Sequence, residues 1–318
     1  AQELQEETGR LPIVFMIMDP ARCWDLTRQI KLLPDEDLAP LDVAFWGYYP
    51  LDAENRLGAI GGPALRAIQD TDRLLAYGRY GARLLQNSLR TLQHRDGDFR
   101  AAAAVSYLPH GLDLQAFRPG IPLEAADLPF QQWAASVPAE AIKVGCVATN
   151  QPRKDLGLLA ESVAAVRSAG ASIAGWLHTD KLTHAWDVGE LASTCGFAKR
   201  EMSVSTDELT DLQLAARYCW SDVTLAPGLG EGFGYPIIES LACGVPVIHG
   251  NYAGGVEQIP DPRWLVEPIA WRLESVYALR RPIFSPHDTA AALVHASTCS
   301  RQQPAVTRAY CSGAVAHL

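Results

Sequence analysis

Short apolar runs alternate with amphipathic segments through the first part of the chain. The runs lie at residues 11–19, 42–50, 72–78 and 102–111, and turn-forming residues bound each of them. Runs of this length and content indicate buried parallel strands, whereas residues 79–93 repeat apolar positions at helical spacing. Strands that alternate with helices predict an α/β fold built on a doubly wound sheet.

The alternation resumes after a proline-containing passage, residues 119–138, which we interpret as a linker. Strands are predicted at 141–148, 172–178, 222–227 and 246–250, and helices at 155–168, 206–218 and 236–243. The stretch between 179 and 205 has no clear period and is interpreted as irregular. The predicted organisation is an N-terminal domain over 1–125, a second domain over 139–300 and a tail or helix over 301–318. Two such domains are expected to face a cleft, with ligands at the carboxyl ends of the strands.

One loop contains a cluster of glycines, at positions 228, 230, 232 and 234, directly before the predicted helix at 236–243. Whether the count starts at Gly228 or at Gly230, the cluster does not match the G-x-G-x-x-G fingerprint of dinucleotide-binding proteins. The chain also has no P-loop motif. Pro236 at the helix start and Gly244 after its end are typical helix boundaries. The amides and dipole of a helix N-terminus favour an anion such as a diphosphate. Glu239, predicted in the first turns of this helix and eight positions after Glu231, suits the paired hydroxyls of a sugar.

The stretch "PGLGEGFGYPIIESLACGVPVI" resembles the E-x7-E signature of retaining glycosyltransferases of the GT-B fold, in particular family 4. Residues 144–163, 207–228 and 106–119 are similar to other segments of that family in the same order, so the resemblance covers about residues 40–310. It implies two Rossmann-like domains and transfer of a hexose from a UDP- or GDP-linked sugar to an acceptor hydroxyl. The acceptor class stays open among glycans, lipids, proteins and modified nucleobases.

The resemblance also implies roles for individual residues. Arg153 and Lys154 neutralise the donor diphosphate, and Glu231 holds the transferred sugar; these three form the catalytic set. The family often has another Arg a few residues before this Lys, and that Arg is absent here. Either Arg153 alone therefore accompanies Lys154 on the diphosphate, or Asn150 assists it. The donor-binding set is Gly232, Phe233, Gly234, Tyr235, Glu239 and Asn150, with Glu239 on the ribose hydroxyls.

The N-terminal domain is predicted to be incomplete, since the family's opening strand and glycine-rich loop have no counterpart before residue 11. Asp19 and His110 are the acceptor-side candidates, and His249 is interpreted as a loop histidine. An alternative to an active enzyme is a nucleotide-sugar-binding module that is inactive alone or completed by a partner chain. A third hypothesis is another enzyme of the same fold, such as an epimerase or a phosphorylase.

Composition narrows these hypotheses only slightly. The net charge of −9 disfavours a broad nucleic-acid surface. No apolar run is long enough for a membrane span and the opening residues do not resemble a signal peptide, so a cytoplasmic protein is expected. Seven cysteines without a C-x-x-C pair predict free thiols. No metal-ligand spacing occurs, so we expect neither a metal nor a cofactor beside the sugar donor.

Overall fold

The computed structural model describes residues 12–19, 43–69, 71–96, 104–274 and 277–318. Its contacts divide the chain into two units. The first unit runs to His110 and also takes in Glu231–Phe233 and Arg272–Arg281. The second unit contains Gly111–Gly230, Gly234–Trp271 and Pro282–Leu318. The sequence-based limits at 1–125, 139–300 and 301–318 stay predictions.

The described part of the first unit contains one parallel sheet in the strand order β1-β2-β3-β4. Its strands are β1 (Ile13–Ile17), β2 (Ala44–Tyr49), β3 (Arg73–Ala76) and β4 (Ala104–Tyr107). Helices α1 (Gly62–Gln69) and α2 (Arg79–Asp96) connect them around a core that includes Phe45, Leu74 and Leu84. All four strands and the helix at 79–93 were predicted from the hydrophobic pattern, and the structure confirms them.

The second unit is built on a larger parallel sheet in the order β10-β9-β8-β5-β6-β7. Its strands are β5 (Ile142–Val147), β6 (Ile173–His178), β7 (Met202–Ser205), β8 (Val223–Ala226), β9 (Val247–Gly250) and β10 (Leu265–Val266). The order reverses between β5 and β8, as it does in Rossmann sheets. Loops that follow the strands at such a switch point diverge and leave a crevice for ligands.

Helices cover this sheet and bury a core that includes Trp176, Tyr218 and Phe130. They are α3 (Leu128–Ser136), α4 (Leu156–Ser168), α5 (Val188–Thr194), α6 (Asp211–Trp220), α7 (Tyr235–Ala242), α8 (Pro286–Gln302) and α9 (Pro304–Ala314). Strands β11 (Ala270–Glu274) and β12 (Leu279–Ile283) pair as a separate two-stranded sheet. Among the helices that the structure describes, none combines the length and the apolar character that a membrane crossing requires.

Three local predictions for the second half were wrong. The stretch 179–205, interpreted as irregular, contains α5 and β7, both too short to show a period in the sequence. The helix predicted from residue 206 begins at Asp211, because Thr210 and Gln213 form a capping box that fixes its start. The passage interpreted as a linker contains α3, whose N-terminus Asp127 caps by accepting a hydrogen bond from Phe130 N.

Candidate functional site

Two loops meet at the switch point of the second sheet. The first follows β5 and contains a short 3₁₀ turn, Pro152–Lys154; the second follows β8 and is the glycine loop. The amide of Leu229 donates to the carbonyl of Arg153 over 2.7 Å, and Arg153 Nη1 donates to the carbonyl of Gly230 over 3.2 Å. The structure therefore brings Arg153 of the predicted cationic pair and the start of the glycine loop together.

The glycine loop needs backbone conformations that other residues rarely adopt. Gly234 has φ +95° and caps α7, and a Cβ at this position would lie 2.8 Å from Ile237 Cδ1. Gly230 has φ +143°. An L-residue in the left-handed region is strained, so glycine at position 234 is required by the turn into the helix.

Helix α7 begins at Tyr235, with Pro236 as its second residue, close to the predicted start. The amides of Ile237 and Ile238 both donate to the carbonyl of Gly234, at 3.0 and 3.3 Å. Glu239 is the fifth residue of the helix, at the start of its second turn. Its side chain therefore lies one turn inside the helix, where it approaches α6.

Glu239 is half-buried and accepts a hydrogen bond of 2.9 Å from the phenol of Tyr218 on α6. Burial raises the pKa of this carboxyl to about 7, the hydrogen bond from Tyr218 opposes the rise, and the charge of Asp211 adds to it. Tyr235, 42% exposed at the helix start, has its pKa raised by burial and by the charge of Glu239. Glu239 thus titrates close to neutral pH.

Asn150 is 1% exposed, and protein partners engage all of its side-chain groups within the second unit. Nδ2 donates to the carbonyls of Lys181 and Trp186, at 3.0 and 2.8 Å, and Oδ1 accepts from the amide of Trp186 at 2.9 Å. Its own amide donates to the carboxylate of Asp180 at 2.6 Å. Asn150 therefore holds the loop 180–186 beside the switch point, and its direct contact with a donor stays a prediction.

The middle of the glycine loop, Glu231–Phe233, belongs by its contacts to the first unit. Glu231 is 8% exposed. A Cβ on Gly232 would lie 3.3 to 3.4 Å from backbone atoms of Pro50 and Leu51, the residues that follow β2. The backbone of this segment thus packs directly against the carboxyl end of β2, and a Cβ at residue 232 would require that backbone to shift by a few tenths of an ångström.

His110 lies in an aromatic cluster of the first unit, at the ends of β2, β3 and β4. Its ring makes edge contacts with Tyr48, Tyr77 and Phe233 at centroid distances of 5.4, 4.2 and 5.0 Å. The phenol of Tyr48 donates to the carbonyl of Leu108 at 2.6 Å and lies 3.2 Å from His110 Nδ1. Burial lowers the pKa of His110, so the neutral imidazole is favoured at neutral pH.

Asp19 follows β1 and lines a cavity of about 60 Å³ in the first unit. Asp52, Ile60 and Tyr277 also line it, and it adjoins Pro50 and Leu51. Both acceptor-side candidates, Asp19 and His110, therefore lie at the carboxyl edge of the first sheet, in separate surroundings. A role in acceptor binding stays a prediction for each.

Two residues were missed or misplaced by sequence reasoning. Tyr218 was not singled out, and only its place on the buried face of α6 was visible in the sequence; its hydrogen bond to Glu239 depends on the packing of two helices. His249 was interpreted as a loop residue, which is wrong. It belongs to β9, is 0% exposed, and its Nδ1 lies 2.8 Å from the carbonyl of Ala226.

Comparison with known families finds one match, in the part of the chain that contains the candidate site. Residues 141–273, which contain both loops and α7, match the family described as glycosyl transferases group 1. This part of the chain is similar to that family, and it makes up less than half of the chain. The resemblance inferred from the glycine loop is confirmed, whereas a retaining reaction and an incomplete N-terminal domain stay predictions.

Similar proteins are known both by sequence and by structure. The GDP-mannose-dependent alpha-(1-6)-phosphatidylinositol monomannoside mannosyltransferase of Mycobacterium tuberculosis is 31% identical over 176 residues, which are 51% of this chain and 42% of that protein. This chain thus matches about two fifths of the length of that relative. Sucrose-phosphate synthase from Thermosynechococcus elongatus superposes with a TM-score of 0.61 and 17% identity, over 100% of this chain and 71% of that one.

An E. coli structure described as trehalose-6-phosphate, bound with UDP-2-fluoro glucose, has a TM-score of 0.69 and 14% identity, with 99% of this chain and 72% of that chain covered. At such identities the likeness concerns the fold alone. The predicted α/β class, with parallel sheets shared with GT-B glycosyltransferases, is confirmed at that level.

Proposed function

We propose that this protein is a retaining glycosyltransferase that transfers a hexose from a UDP- or GDP-linked sugar to an acceptor hydroxyl. The observation that carries the proposal is the junction of the two switch-point loops, where Arg153 bonds to both Leu229 and Gly230. It joins a cationic turn to the glycine loop within the segment that matches the family of glycosyl transferases. The related mannosyltransferase is GDP-mannose-dependent, and the E. coli structure holds a UDP-sugar.

Arg153 and Lys154 are the proposed partners of the donor diphosphate. The leaving group of the reaction departs as a nucleoside diphosphate, so fixed cations at this position stabilise charge that grows in the transition state. Helix α7 adds its dipole. Because the amides of Ile237 and Ile238 are used inside the helix, the cations and the loop backbone carry most of the proposed diphosphate binding. We therefore expect binding without a metal.

The two glutamates are proposed to bind the other two parts of the donor, its ribose and its hexose. Glu239, oriented by Tyr218, is the proposed acceptor of hydrogen bonds from the ribose hydroxyls. Glu231, with the backbone of Gly232, Phe233 and Gly234, is proposed to hold the transferred hexose. Retention is explained by attack on the same face from which the diphosphate leaves, so no enzyme nucleophile is assigned. Asp19 and His110 remain the proposed acceptor-side residues.

Calorimetric titration of the whole chain with UDP, GDP, their sugar conjugates and inorganic pyrophosphate tests these roles, in excess EDTA throughout. Losing a charged hydrogen-bond partner costs about 1.5 to 3 kcal/mol, so Lys154→Ala should weaken diphosphate binding by roughly one to two decades. Lys143→Ala, which removes a cation at the other end of β5, is the matched control and should bind normally. Glu239→Gln should weaken nucleotide binding and leave pyrophosphate binding nearly unchanged.

Glu231→Gln completes the series, because its proposed partner is the sugar. Affinity for the free nucleotide should stay, while donor hydrolysis or transfer falls. If Glu231→Gln lost nucleotide affinity as severely as Lys154→Ala while the fold stayed intact, the division of roles would be wrong. Nucleotide binding without any donor hydrolysis or transfer in the unmodified chain would favour the alternative, a binding module that is inactive alone or completed by a partner chain.

A further inference from the structure

A second cavity, of about 390 Å³, lies at the amino-terminal edge of the sheet of the second unit. Its lining includes Lys143 at the start of β5, Asp222 before β8 and Val245 before β9. The residues proposed to bind the donor follow the carboxyl ends of these strands, and none of them lines this cavity. The cavity, called here the amino-edge cavity, therefore has no part in the proposed transfer reaction.

Two cysteines meet beside the amino-edge cavity. Cys219, on the last turn of α6, is half-buried and lines the cavity, whereas Cys243, which follows the last residue of α7, is 1% exposed and lies behind it. The Cys219 thiol donates to the carbonyl of Arg118 over 3.4 Å and to that of Cys243 over 3.8 Å, so its sulfur lies against the backbone of Cys243. One thiol is thus open to small molecules, and the second cysteine is in contact with it.

The surroundings favour the thiolate of Cys219 over that of Cys243. The hydrogen bond from Cys243 is the largest cause that lowers the pKa of Cys219, and the amides of Ile121 and Gly120 and the charge of Arg308 add to it. The same hydrogen bond, together with burial, raises the pKa of Cys243. A thiolate is the nucleophile in thiol–disulfide exchange, so the accessible cysteine is also the more reactive one.

We propose that Cys219 and Cys243 are a redox-active thiol pair that is oxidised by a small anionic disulfide entering through the amino-edge cavity. Cys219 gives its proton to solvent and attacks one sulfur of the small disulfide, whose S–S bond breaks and releases one thiolate. Cys243 then loses its proton and attacks Cys219, which forms the intramolecular disulfide and releases the second small thiolate. Two protein thiols are oxidised by two electrons, and the small disulfide is reduced to two thiols.

The cavity lining fits a ligand of this class. Lys143 and Arg308 are cations of the lining, and Lys143 Nζ lies 5.0 Å from the centroid of the Trp220 ring. The lining carboxylate, Asp222, is already engaged, since it accepts from Arg301 and from the amide of Lys143. A small disulfide that carries carboxylates, such as glutathione disulfide, therefore meets positive charge beside Cys219.

The test exposes the whole chain to glutathione disulfide, blocks the remaining thiols with N-ethylmaleimide, and maps each cysteine by mass spectrometry. Before alkylation, the unmodified protein should lose the mass of two hydrogens. After digestion, Cys219 and Cys243 should lie in one disulfide-linked pair of peptides. Cys243→Ser should instead accumulate glutathione on Cys219, and Cys219→Ser should lose both products. Cys195→Ser, at another half-buried cysteine whose pKa is raised, is the matched control and should behave as the unmodified protein.

Two results would overturn the proposal. In the first, Cys219 of the unmodified protein keeps its glutathione while Cys243 is alkylated, so Cys243 does not resolve the mixed disulfide. In the second, Cys219 acquires glutathione no faster than Cys195. Neither result depends on nucleotide binding, so a failure here is distinct from a failure of the proposed transferase function.

Discussion

The phenol of Tyr218 donates a 2.9 Å hydrogen bond to Oε2 of Glu239, and so joins helix α6 to helix α7 next to the glycine loop. The bond opposes the effect of burial, which is the largest cause that raises the pKa of this carboxyl. In the proposed function, the other carboxylate oxygen of Glu239 accepts from the ribose hydroxyls.

Glu239→Gln should change how stability depends on pH. The folded-state pKa of Glu239 is about 7, above its ordinary value of 4.5, so the folded state holds more protons than the unfolded state between these two values. The contribution of Glu239 to stability is therefore lost as pH rises from about 4.5 to about 7, and it is constant above that range. We expect the free energy of unfolding of the variant, relative to the wild type, to rise across this window.

Urea unfolding at several pH values between 4 and 8 measures this difference, because titrations common to both proteins cancel. Glu190→Gln is a suitable control, since that carboxylate is exposed on α5. A difference between wild type and Glu239→Gln that stays flat across the window would contradict a raised pKa.

Tyr218→Phe should move the pH dependence of nucleotide binding. In the proposed site an ionised Glu239 accepts hydrogen bonds from the ribose, and such bonds are stronger when the acceptor is charged. Nucleotide affinity should therefore rise through about pH 7 in the wild type. Without the phenol the pKa of Glu239 rises further, so the midpoint should move to higher pH. Calorimetry with UDP or GDP measures it, and an unchanged midpoint would contradict the role given to Tyr218.

The sequence predicted strands β1 to β6, β8 and β9, because each is a compact apolar run bounded by turn residues, and it missed β7 and β10. It predicted less where the structure depends on short or half-buried elements: β7, Met202–Ser205, is half-buried along its length, and α5 spans only two turns. The spacing of Thr210 and Gln213 indicates a capping box and therefore the start of α6, but the helix was predicted to begin at residue 206, which is too early.

At the candidate site, the sequence predicted which residues gather but not how they are held. The glycine spacing and the dibasic step after β5 indicated the two loops, and the structure joins them through Arg153. The partner of Glu239 and the engagement of Asn150 by the loop 180–186 involve residues 21 to 36 positions apart. Hydrogen bonds of that kind follow from how helices and loops pack, and no local pattern encodes them.

Gly234→Ala should reduce both stability and nucleotide affinity. At φ +95° an alanine costs about 1 to 2 kcal/mol in the left-handed region, and its Cβ would lie 2.8 Å from Ile237 Cδ1. The loop would have to shift at the point where α7 begins. Gly170→Ala is the matched control, because Gly170 has φ +87° and nothing within 4 Å of an added Cβ.

Gly170→Ala should lose only the stability that a left-handed alanine costs, and it should bind nucleotide normally. Thermal unfolding and calorimetry with UDP or GDP separate the two effects. Equal nucleotide affinity in Gly234→Ala and in Gly170→Ala would mean that the loop conformation is irrelevant to the donor.

Asn150→Ala should destabilise the second unit. The substitution leaves the carbonyls of Lys181 and Trp186 and the amide of Trp186 without their side-chain partner. The carbonyl of Trp186 keeps its hydrogen bond from the amide of His184, and Lys181 is exposed, so the main cost is the amide of Trp186 left without a partner. A loss of about 1 to 3 kcal/mol is expected. Asn251→Ala removes a single exposed amide contact, with Glu267, and should change stability little. Urea unfolding compares the two, and equal small losses would leave the structural role of Asn150 unsupported.

Asp127→Ala should be among the most destabilising single substitutions in the second unit. Its carboxylate accepts from Nε and Nη2 of Arg217, at 2.8 and 2.5 Å, and it also caps helix α3. Arg217 is 2% exposed, and its third nitrogen donates to Ser205. Removing the carboxylate leaves a buried guanidinium without its counter-charge, which costs about 3 to 5 kcal/mol.

A second substitution separates the ionic part from the helix cap. Asn caps helices about as well as Asp, so Asp127→Asn keeps the bond to Phe130 N through Oδ1 but replaces the oxygen that accepts from Arg217 with an uncharged NH2 group. We expect its loss of stability to lie between those of the wild type and Asp127→Ala. Glu274→Ala, which breaks a pair with the half-exposed Arg272, should cost less than about 1 kcal/mol. If Asp127→Asn were as stable as the wild type in urea, the ion pair with Arg217 would contribute nothing beyond the cap, and the packing of α3 against α6 would have to rest on Phe130 and its aromatic neighbours alone.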